Sequence, residues 1–344
     1  MCTTELYRVE SRVWLAKNGK PKYKILPGRA WIEEYKNPMH WKVDRIPCGN
    51  CLECRLSKAK EWALRCVKEA KKYEDNVMIT LTYNEENIPK CTGTNPKTGE
   101  IFENTTLNKK DHQDFMKRLR KHFKNEKIRF FMCGEYGSDK EYKDSKGNIR
   151  KGTERPHYHI ILFNCKFEDM QPWRMSVCEW SKQKNMLYRS KTLEKLWTKG
   201  NAELNEVNFE TCRYVAGYVT KKYKGKGSKE HYKLLGRVPE YTCMSRKPGI
   251  ANDFYEENKE KFFEEKPLWA VTKKGLQKVK SRYFDKLMEK DDPKKFEEIR
   301  WGRRKKSEAA WDALLTKTDI DKHQYIENQE SKVATRNRLL TIRK

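Results

Sequence analysis

The hydrophobic pattern changes period along the chain. From Ser57 onward, Ala59, Trp62, Cys66, Ala70 and Tyr73 recur at three- and four-residue spacing with Lys and Arg between them, which predicts an amphipathic helix. At Asn76 the period becomes two. Val77, Ile79, Leu81 and Tyr83 alternate with Met78, Thr80 and Thr82, the pattern of a strand whose second face carries threonines. A loop bearing Pro89, Gly93, Pro96 and Gly99 is expected next, then a helix from about Asn108 with Met116, Leu119 and Phe123 in one stripe. Strands are predicted at Ile128 to Tyr136 and at His157 to Asn164, separated by the polar stretch Gly137 to Arg155. A helix near Thr192 to Lys199, a strand near Glu203 to Phe209 and a helix from about Cys212 to Tyr223 complete the patterned region. Residues 1 to about 57 read as irregular, and beyond Gly225 the chain is polar and basic with helical spacings such as Trp311, Leu314 and Leu315.

This order of elements implies an α+β fold. Two split β-α-β halves give an antiparallel sheet with helices on one face, a ferredoxin-like (RRM-like) arrangement. Three domains are expected: a cysteine-rich N-terminal region with its helix at 1–75, the patterned domain at 76–225, and a basic, mainly helical region at 226–344.

Charge narrows the class of partner. The 344 residues include 76 Lys+Arg against 49 Asp+Glu, a net +27, which points to a polyanion. With 10 Trp and 17 Tyr the chain is too rich in large core-formers to be a disordered basic tail. No apolar run approaches membrane-spanning length and residues 1–20 lack a signal-peptide core, so neither a membrane-spanning nor a secreted protein is expected. Eleven cysteines in a reducing compartment predict free thiols rather than a disulfide framework.

Three groups of residues carry candidate chemistry. His157 and His159, two apart on a strand, point to one face and can converge on a divalent metal, with paired structural histidines as the plain alternative. Glu135, on the neighbouring strand, reads either as a third ligand or as a surface carboxylate beside a turn. Two imidazoles and a carboxylate suit Mg²⁺ or Mn²⁺ bound to a phosphate oxygen.

On the predicted helix, Cys212, Val215, Ala216, Val219 and Tyr223 share an apolar face, and Tyr214 and Tyr218 fall one turn apart on the other, flanked by Lys221 and Lys222. Two phenols held together there suggest nucleophilic chemistry or base stacking, with Lys222 favouring the phenolate; a solvated helix end is the alternative for each lysine. Cys48, Cys51 and Cys54 form a C-x2-C-x2-C cluster that suits structural Zn²⁺, with Cys2 the first candidate for a fourth ligand. An iron–sulfur run would want a cysteine where Lys58 stands. Arg246 and Lys247 are candidate phosphate contacts or ordinary solvated charges.

The strand Ile79–Tyr83, the His-hydrophobe-His strand at 157–159 and the Tyr-x-x-x-Tyr helix occur in the order of the three motifs of rolling-circle replication initiators, the HUH endonucleases. More narrowly, the sequence resembles the replication initiation proteins of gokushovirus-type microviruses, small single-stranded DNA phages, also through Pro47–Arg55 and Met244–Ile250. The likeness covers roughly Cys48 to Ile250. One departure is the length of Gly137–Arg155, longer than the connection expected between the Glu135 segment and the histidines.

The resemblance implies the HUH arrangement of the sheet, His157, His159 and Glu135 as metal ligands, and Tyr214 and Tyr218 as nucleophiles that form a 5′-phosphotyrosine with viral origin DNA, single-stranded or supercoiled duplex. It implies action in the cytoplasm of an infected bacterium with a host DNA polymerase. Since the chain has no G-x-x-x-x-G-K-[S/T] loop, unwinding would fall to a host helicase. A competing reading is a non-catalytic RNA- or DNA-binding protein on the same sheet, which leaves the His and Tyr pairs as coincidences. A single-tyrosine HUH transposase or relaxase is disfavoured by the second tyrosine.

Overall fold

The computed structural model describes all residues except 1–5, 18, 20, 28–34, 36, 38, 125, 138–140, 144–148, 178–183, 219–226, 273–274 and 337–344. In chain order its elements are β1 (Leu6–Leu15), β2 (Pro21–Pro27), β3 (Trp41–Ile46), α1 (Leu52–Ala70), β4 (Asn76–Tyr83), β5 (Lys90–Thr94), β6 (Ile101–Thr105), α2 (Lys109–His122) and β7 (Arg129–Tyr136). There follow β8 (Glu141–Lys143), β9 (Ile149–Lys151), β10 (Pro156–Phe163), β11 (Gln171–Val177), β12 (Lys184–Arg189), α3 (Lys191–Trp197), β13 (Gly200–Glu206) and α4 (Phe209–Tyr218). The remainder is α5 (Ser228–Leu234), β14 (Tyr241–Met244), α6 (Asn252–Glu257), α7 (Lys259–Phe263), β15 (Leu268–Thr272), β16 (Gly275–Val279), α8 (Arg282–Asp291), α9 (Pro293–Leu315) and α10 (Lys322–Arg336). Among the described residues no helix is long and apolar enough to cross a membrane.

The chain forms two compact units, one of residues 1–58 with 301–341 and one essentially of residues 59–300. The first contains an antiparallel sheet in the order β2-β1-β3, where an irregular segment was expected. Its inward positions, Tyr7, Val9 and Ser11, do alternate. The interleaved Arg8, Glu10 and Arg12 and the exposed Val13, Trp14 and Leu15 blur that alternation in the sequence.

The second unit is built on a seven-stranded sheet in the order β11-β12-β13-β4-β10-β7-β14, with every neighbouring pair antiparallel. Its middle strands, β13-β4-β10-β7, are linked as β4-α2-β7-β10-α3-β13. β10 is central and apolar on both sides, as its sequence predicts. Helices cover both faces, which corrects the expectation of one. On one face Ile79, Leu81, Ile160, Leu162 and Met132 pack against Phe115, Met116 and Leu119 of α2 and Leu193 and Trp197 of α3. On the other, Met78, Phe131, Cys133, Ile161 and Phe163 pack against Ala59, Ala63, Leu64 and Cys66 of α1 and Cys212, Val215 and Ala216 of α4.

Local signals set the ends of these helices. Asn108 Oδ1 accepts from Lys110 N at 3.0 Å at the start of α2, and Ser190 Oγ accepts from Leu193 N at 3.0 Å at the start of α3. Gly200, at φ +144°, opens β13 so close to β4 that an added Cβ would lie 2.4 Å from Thr82 O, so no other residue fits there.

Other departures from the pattern are confined to short or polar strands. The expected loop after β4 is the hairpin β5–β6, whose glycine and prolines disguise it, and the polar stretch 137–155 carries the hairpin β8–β9. Of the region expected to be mainly helical, β14 instead pairs with β7 at the sheet edge, and β15–β16 form a further hairpin.

Candidate active site

β10 and β7 pair so that His157 lies directly opposite Glu135, and β10 and β4 pair so that His159 lies opposite Thr80. Because side chains alternate along a strand, these four groups share the face that carries Ile161 and Phe163. Glu135 is only 2 % exposed, so the surface-carboxylate alternative is excluded by its position. His157 Nε2 lies 2.8 Å from Glu135 Oε1, His159 Nε2 lies 3.6 Å from the same oxygen, and the two Nε2 atoms are 3.1 Å apart.

The outer ring nitrogens are also engaged. His157 Nδ1 is 2.9 Å from the carbonyl of Arg155, and His159 Nδ1 is 2.9 Å from Thr80 Oγ1. A carbonyl only accepts, so His157 carries its proton on Nδ1 and, when neutral, presents the Nε2 lone pair to Glu135. A lone pair at 2.8 Å from a carboxylate oxygen repels it unless a positive charge lies between them. A proton on Nε2 or a metal ion meets that requirement, and two nitrogens and one oxygen within 4.8 Å of one another could hold a divalent metal.

α4 brings the two tyrosines to this group. Asn208 and Thr211 cap its start reciprocally, Thr211 N donating to Asn208 Oδ1 at 2.9 Å and Asn208 N to Thr211 Oγ1 at 2.8 Å. With Cys212, Val215 and Ala216 buried on the sheet, the Tyr218 ring stacks on His159 at 4.7 Å and 10°. Tyr214 meets His159 edge-on at 5.1 Å, and the two tyrosine rings are 4.7 Å apart.

The expected separation of these phenols from the buried side of the helix is corrected here. Tyr218 is 7 % exposed, because the sheet beneath it carries imidazoles rather than aliphatic side chains and accepts a phenol. Burial first, then the Glu135 carboxylate and Tyr214, hold the Tyr218 hydroxyl protonated well above the usual phenol range.

The remaining candidates separate from this group. Lys221 and Lys222 lie outside the described residues, as does Cys2. Cys48, Cys51 and Cys54 cluster together in the first unit, while Cys66 is buried in the core beside Cys212. Arg246 and Lys247 are exposed on the turn after β14. That turn is fastened to the sheet through Ser245 Oγ, which accepts from Phe130 N at 3.0 Å. Arg129 donates to the carbonyls of Pro248 and Gly249 at 3.1 and 3.2 Å.

Sequence reasoning missed Thr80 and Arg155 as partners of the histidines. The threonine-bearing face of β4 was its only trace, since register across strands is not written in one strand. It also missed a cationic and aromatic stretch of the same sheet face. There Arg174 pairs with Glu203 at 2.9 Å, Glu203 lies opposite Thr80, and the Arg189 guanidinium sits 3.7 Å over the 42 % exposed Trp173.

Comparison with known proteins identifies the family. The family of replication-associated proteins of the ORF2 type matches residues 76–223, which contain both the histidine and the tyrosine pairs. The chain is 31 % identical over 260 residues to Replication-associated protein ORF2 of Spiroplasma virus 4, covering 72 % of this chain and 69 % of that one. It is 29 % identical over 254 residues to Replication-associated protein VP4 of Bdellovibrio phage phiMH2K, covering 74 % and 70 %. With Replication-associated protein ORF4 of Chlamydia phage 1 it shares 30 % identity over 185 residues, covering 52 % and 38 %. No solved structure matches the chain. A chain alike over two thirds of its length to the first two of these phage proteins, and matching the family across the segment that builds the site, belongs to the replication-associated proteins of gokushovirus-type microviruses.

Proposed function

We propose that the protein is an origin-specific, metal-dependent single-strand DNA endonuclease and strand transferase that initiates and terminates viral rolling-circle replication. The observation that carries this reading is the meeting of two phenols from α4 with a buried group of two imidazoles and a carboxylate on β10 and β7. On this reading residues 76–225 are the HUH endonuclease domain, and β4-α2-β7-β10-α3-β13 is its ferredoxin-like core.

His157, His159 and Glu135 hold Mg²⁺ or Mn²⁺, which when bound supplies charge stabilisation at the phosphoryl oxygens. Thr80 and the Arg155 carbonyl hold the two Nδ1 atoms, so that both Nε2 atoms face Glu135. A tyrosine Oη attacks the phosphorus at the origin and loses its proton, the bond from phosphorus to O3′ breaks, and the leaving oxygen takes up a proton. The products are a 5′-phosphotyrosine and a free 3′-OH. Tyr214, half-buried, meets the incoming strand first, whereas Tyr218 lies under it against His159. Once the origin is regenerated, Tyr218 cleaves it, and the released 3′-OH attacks the first phosphotyrosine to close a unit circle. Bond energy is conserved throughout, so no nucleotide is consumed.

Lys222, one turn beyond Tyr218 in sequence, favours the phenolate against the burial that opposes it. Trp173, Arg174 and Arg189, with Lys221, Arg246 and Lys247 and the general positive charge, seat the strand. A host helicase unwinds and a host polymerase extends the 3′ end, in the cytoplasm of the infected bacterium.

The test is incubation of the chain with labelled single-stranded origin DNA and Mn²⁺, read on a denaturing gel. Wild type is expected to give a covalent adduct, and Tyr214→Phe combined with Tyr218→Phe to bind DNA without one. An adduct that persists in the double variant overturns the mechanism, and salt-sensitive binding by wild type with no adduct supports the non-catalytic reading instead.

A further inference from the structure

We propose that Cys48, Cys51 and Cys54 hold one zinc ion as thiolates, at a site separate from the histidine group and independent of the nuclease reading. Their placement follows from the backbone. Cys51 stands just before α1, where its carbonyl accepts from Arg55 N at 3.1 Å, and Cys54 is three residues on. These are the two positions whose side chains meet at a helix start, as they do in a capping box, and the partial positive charge of that end favours thiolate.

Cys48 is brought to the same point by a turn. Gly49 takes φ +74°, a left-handed conformation that glycine accepts freely. The turn aims the N–H groups of Asn50 and Cys51 at Cys48 Sγ, 3.4 and 3.2 Å away. The two N–H groups fix that sulfur on the same side of the turn as the start of α1.

Distances decide between the uses three thiols can have. Cys48 Sγ and Cys54 Sγ are 4.0 Å apart, and all three sulfurs lie within 4.8 Å of one another. A disulfide needs sulfurs at about 2.05 Å. Thiolates at about 2.3 Å from a tetrahedral zinc stand roughly 3.8 Å apart, close to the observed spacing. Packing is the remaining alternative. Cys66, Cys133, Cys165 and Cys212 are buried in apolar cores, whereas the three clustered thiols are half-buried at a helix start.

Three soft thiolates select zinc over Mg²⁺ or Mn²⁺, and leave one tetrahedral position for a further ligand. Each thiol releases its proton to solvent as the ion binds, with no change of oxidation state.

The test uses the full chain purified under reducing conditions. Elemental analysis is expected to find about one zinc per chain. Replacement of that zinc by Co²⁺ is expected to produce the thiolate-to-cobalt charge-transfer absorption, which a site of two imidazoles and a carboxylate cannot give. Cys54→Ser should lose both signals, while Cys91→Ser, which alters a thiol outside the cluster, and His157→Ala should keep the absorption. Absence of both zinc and the cobalt band from wild type overturns the proposal, as does an iron–sulfur chromophore or full retention of both signals in Cys54→Ser. The wild-type cobalt spectrum needs no variant to fold.

Discussion

The two faces of β10 carry the same kinds of residue and use them differently. On one face Tyr158 lies between the histidines in sequence. Its hydroxyl donates to the Asn108 carbonyl at 2.7 Å, accepts from Asn108 N at 3.1 Å and touches Tyr83 Oη at 2.8 Å, which in turn donates to Asp111 at 2.8 Å. Each donor there meets an acceptor, and burial pushes the Tyr158 phenol up to about 12 and Tyr83 higher still. On the opposite face His157 Nε2, His159 Nε2 and the Glu135 carboxylate are turned toward one another, within reach of a single shared positive charge. A buried polar network that satisfies itself holds a fold together; one that requires an added positive charge is arranged for a ligand.

The contrast can be broken from either side. His157→Ala removes one of the three proposed metal-binding side chains. DNA cleavage is expected to fall on the order of a hundredfold or more, with salt-sensitive DNA binding retained, as measured by nicking assays beside binding titrations. Thr80→Val leaves the ligands and removes the partner of His159 Nδ1. A tenfold to hundredfold rise, roughly, in the Mn²⁺ concentration needed for nicking is expected, and rescue by Thr80→Ser separates orientation from packing.

On the self-satisfied face, Tyr158→Phe is expected to cost about 1–3 kcal/mol in denaturant unfolding while the folded variant nicks at the wild-type rate. A slower rate at saturating Mn²⁺ would show that the two faces are not separable.

A separate effect is expected with pH. His112 Nδ1 lies 2.9 Å from Tyr241 Oη, and burial, aided by Lys109 and opposed by Asp111, lowers its imidazole to about 4 from an ordinary 6.5. The folded state therefore binds fewer protons than the unfolded one between those values. Its contribution to stability is complete above pH 6.5 and is lost as pH falls toward 4. Unfolding midpoints across that window should flatten in His112→Gln.

What the sequence disclosed follows the same division. The strand with a clear period of two at Val77–Tyr83 and the strand apolar on both sides at His157–Phe163 were legible, and so was the shared face of the two histidines. The sheet of residues 6–46 was hidden by charged residues between its buried ones, and β14 by its four-residue length in a polar stretch. Partners across strands, Thr80 and the Arg155 carbonyl, were not legible because register is a tertiary fact. Tyr218 was legible as one of a pair but not as buried, since its covering surface is a histidine contributed from 59 residues away in the chain. Both tyrosines nevertheless reach the group to which the sequence pattern alone could not connect them.

The central claim is that these phenols form the covalent link to DNA. Its most direct test is mass-spectrometric mapping of the chain after reaction with single-stranded origin DNA and Mn²⁺, read on the tryptic peptide 214–221, which carries both tyrosines. A nucleotide 5′-phosphate bonded to Tyr214, absent when Mn²⁺ is withheld, is the predicted result. DNA cleaved with neither Tyr214 nor Tyr218 modified would contradict it.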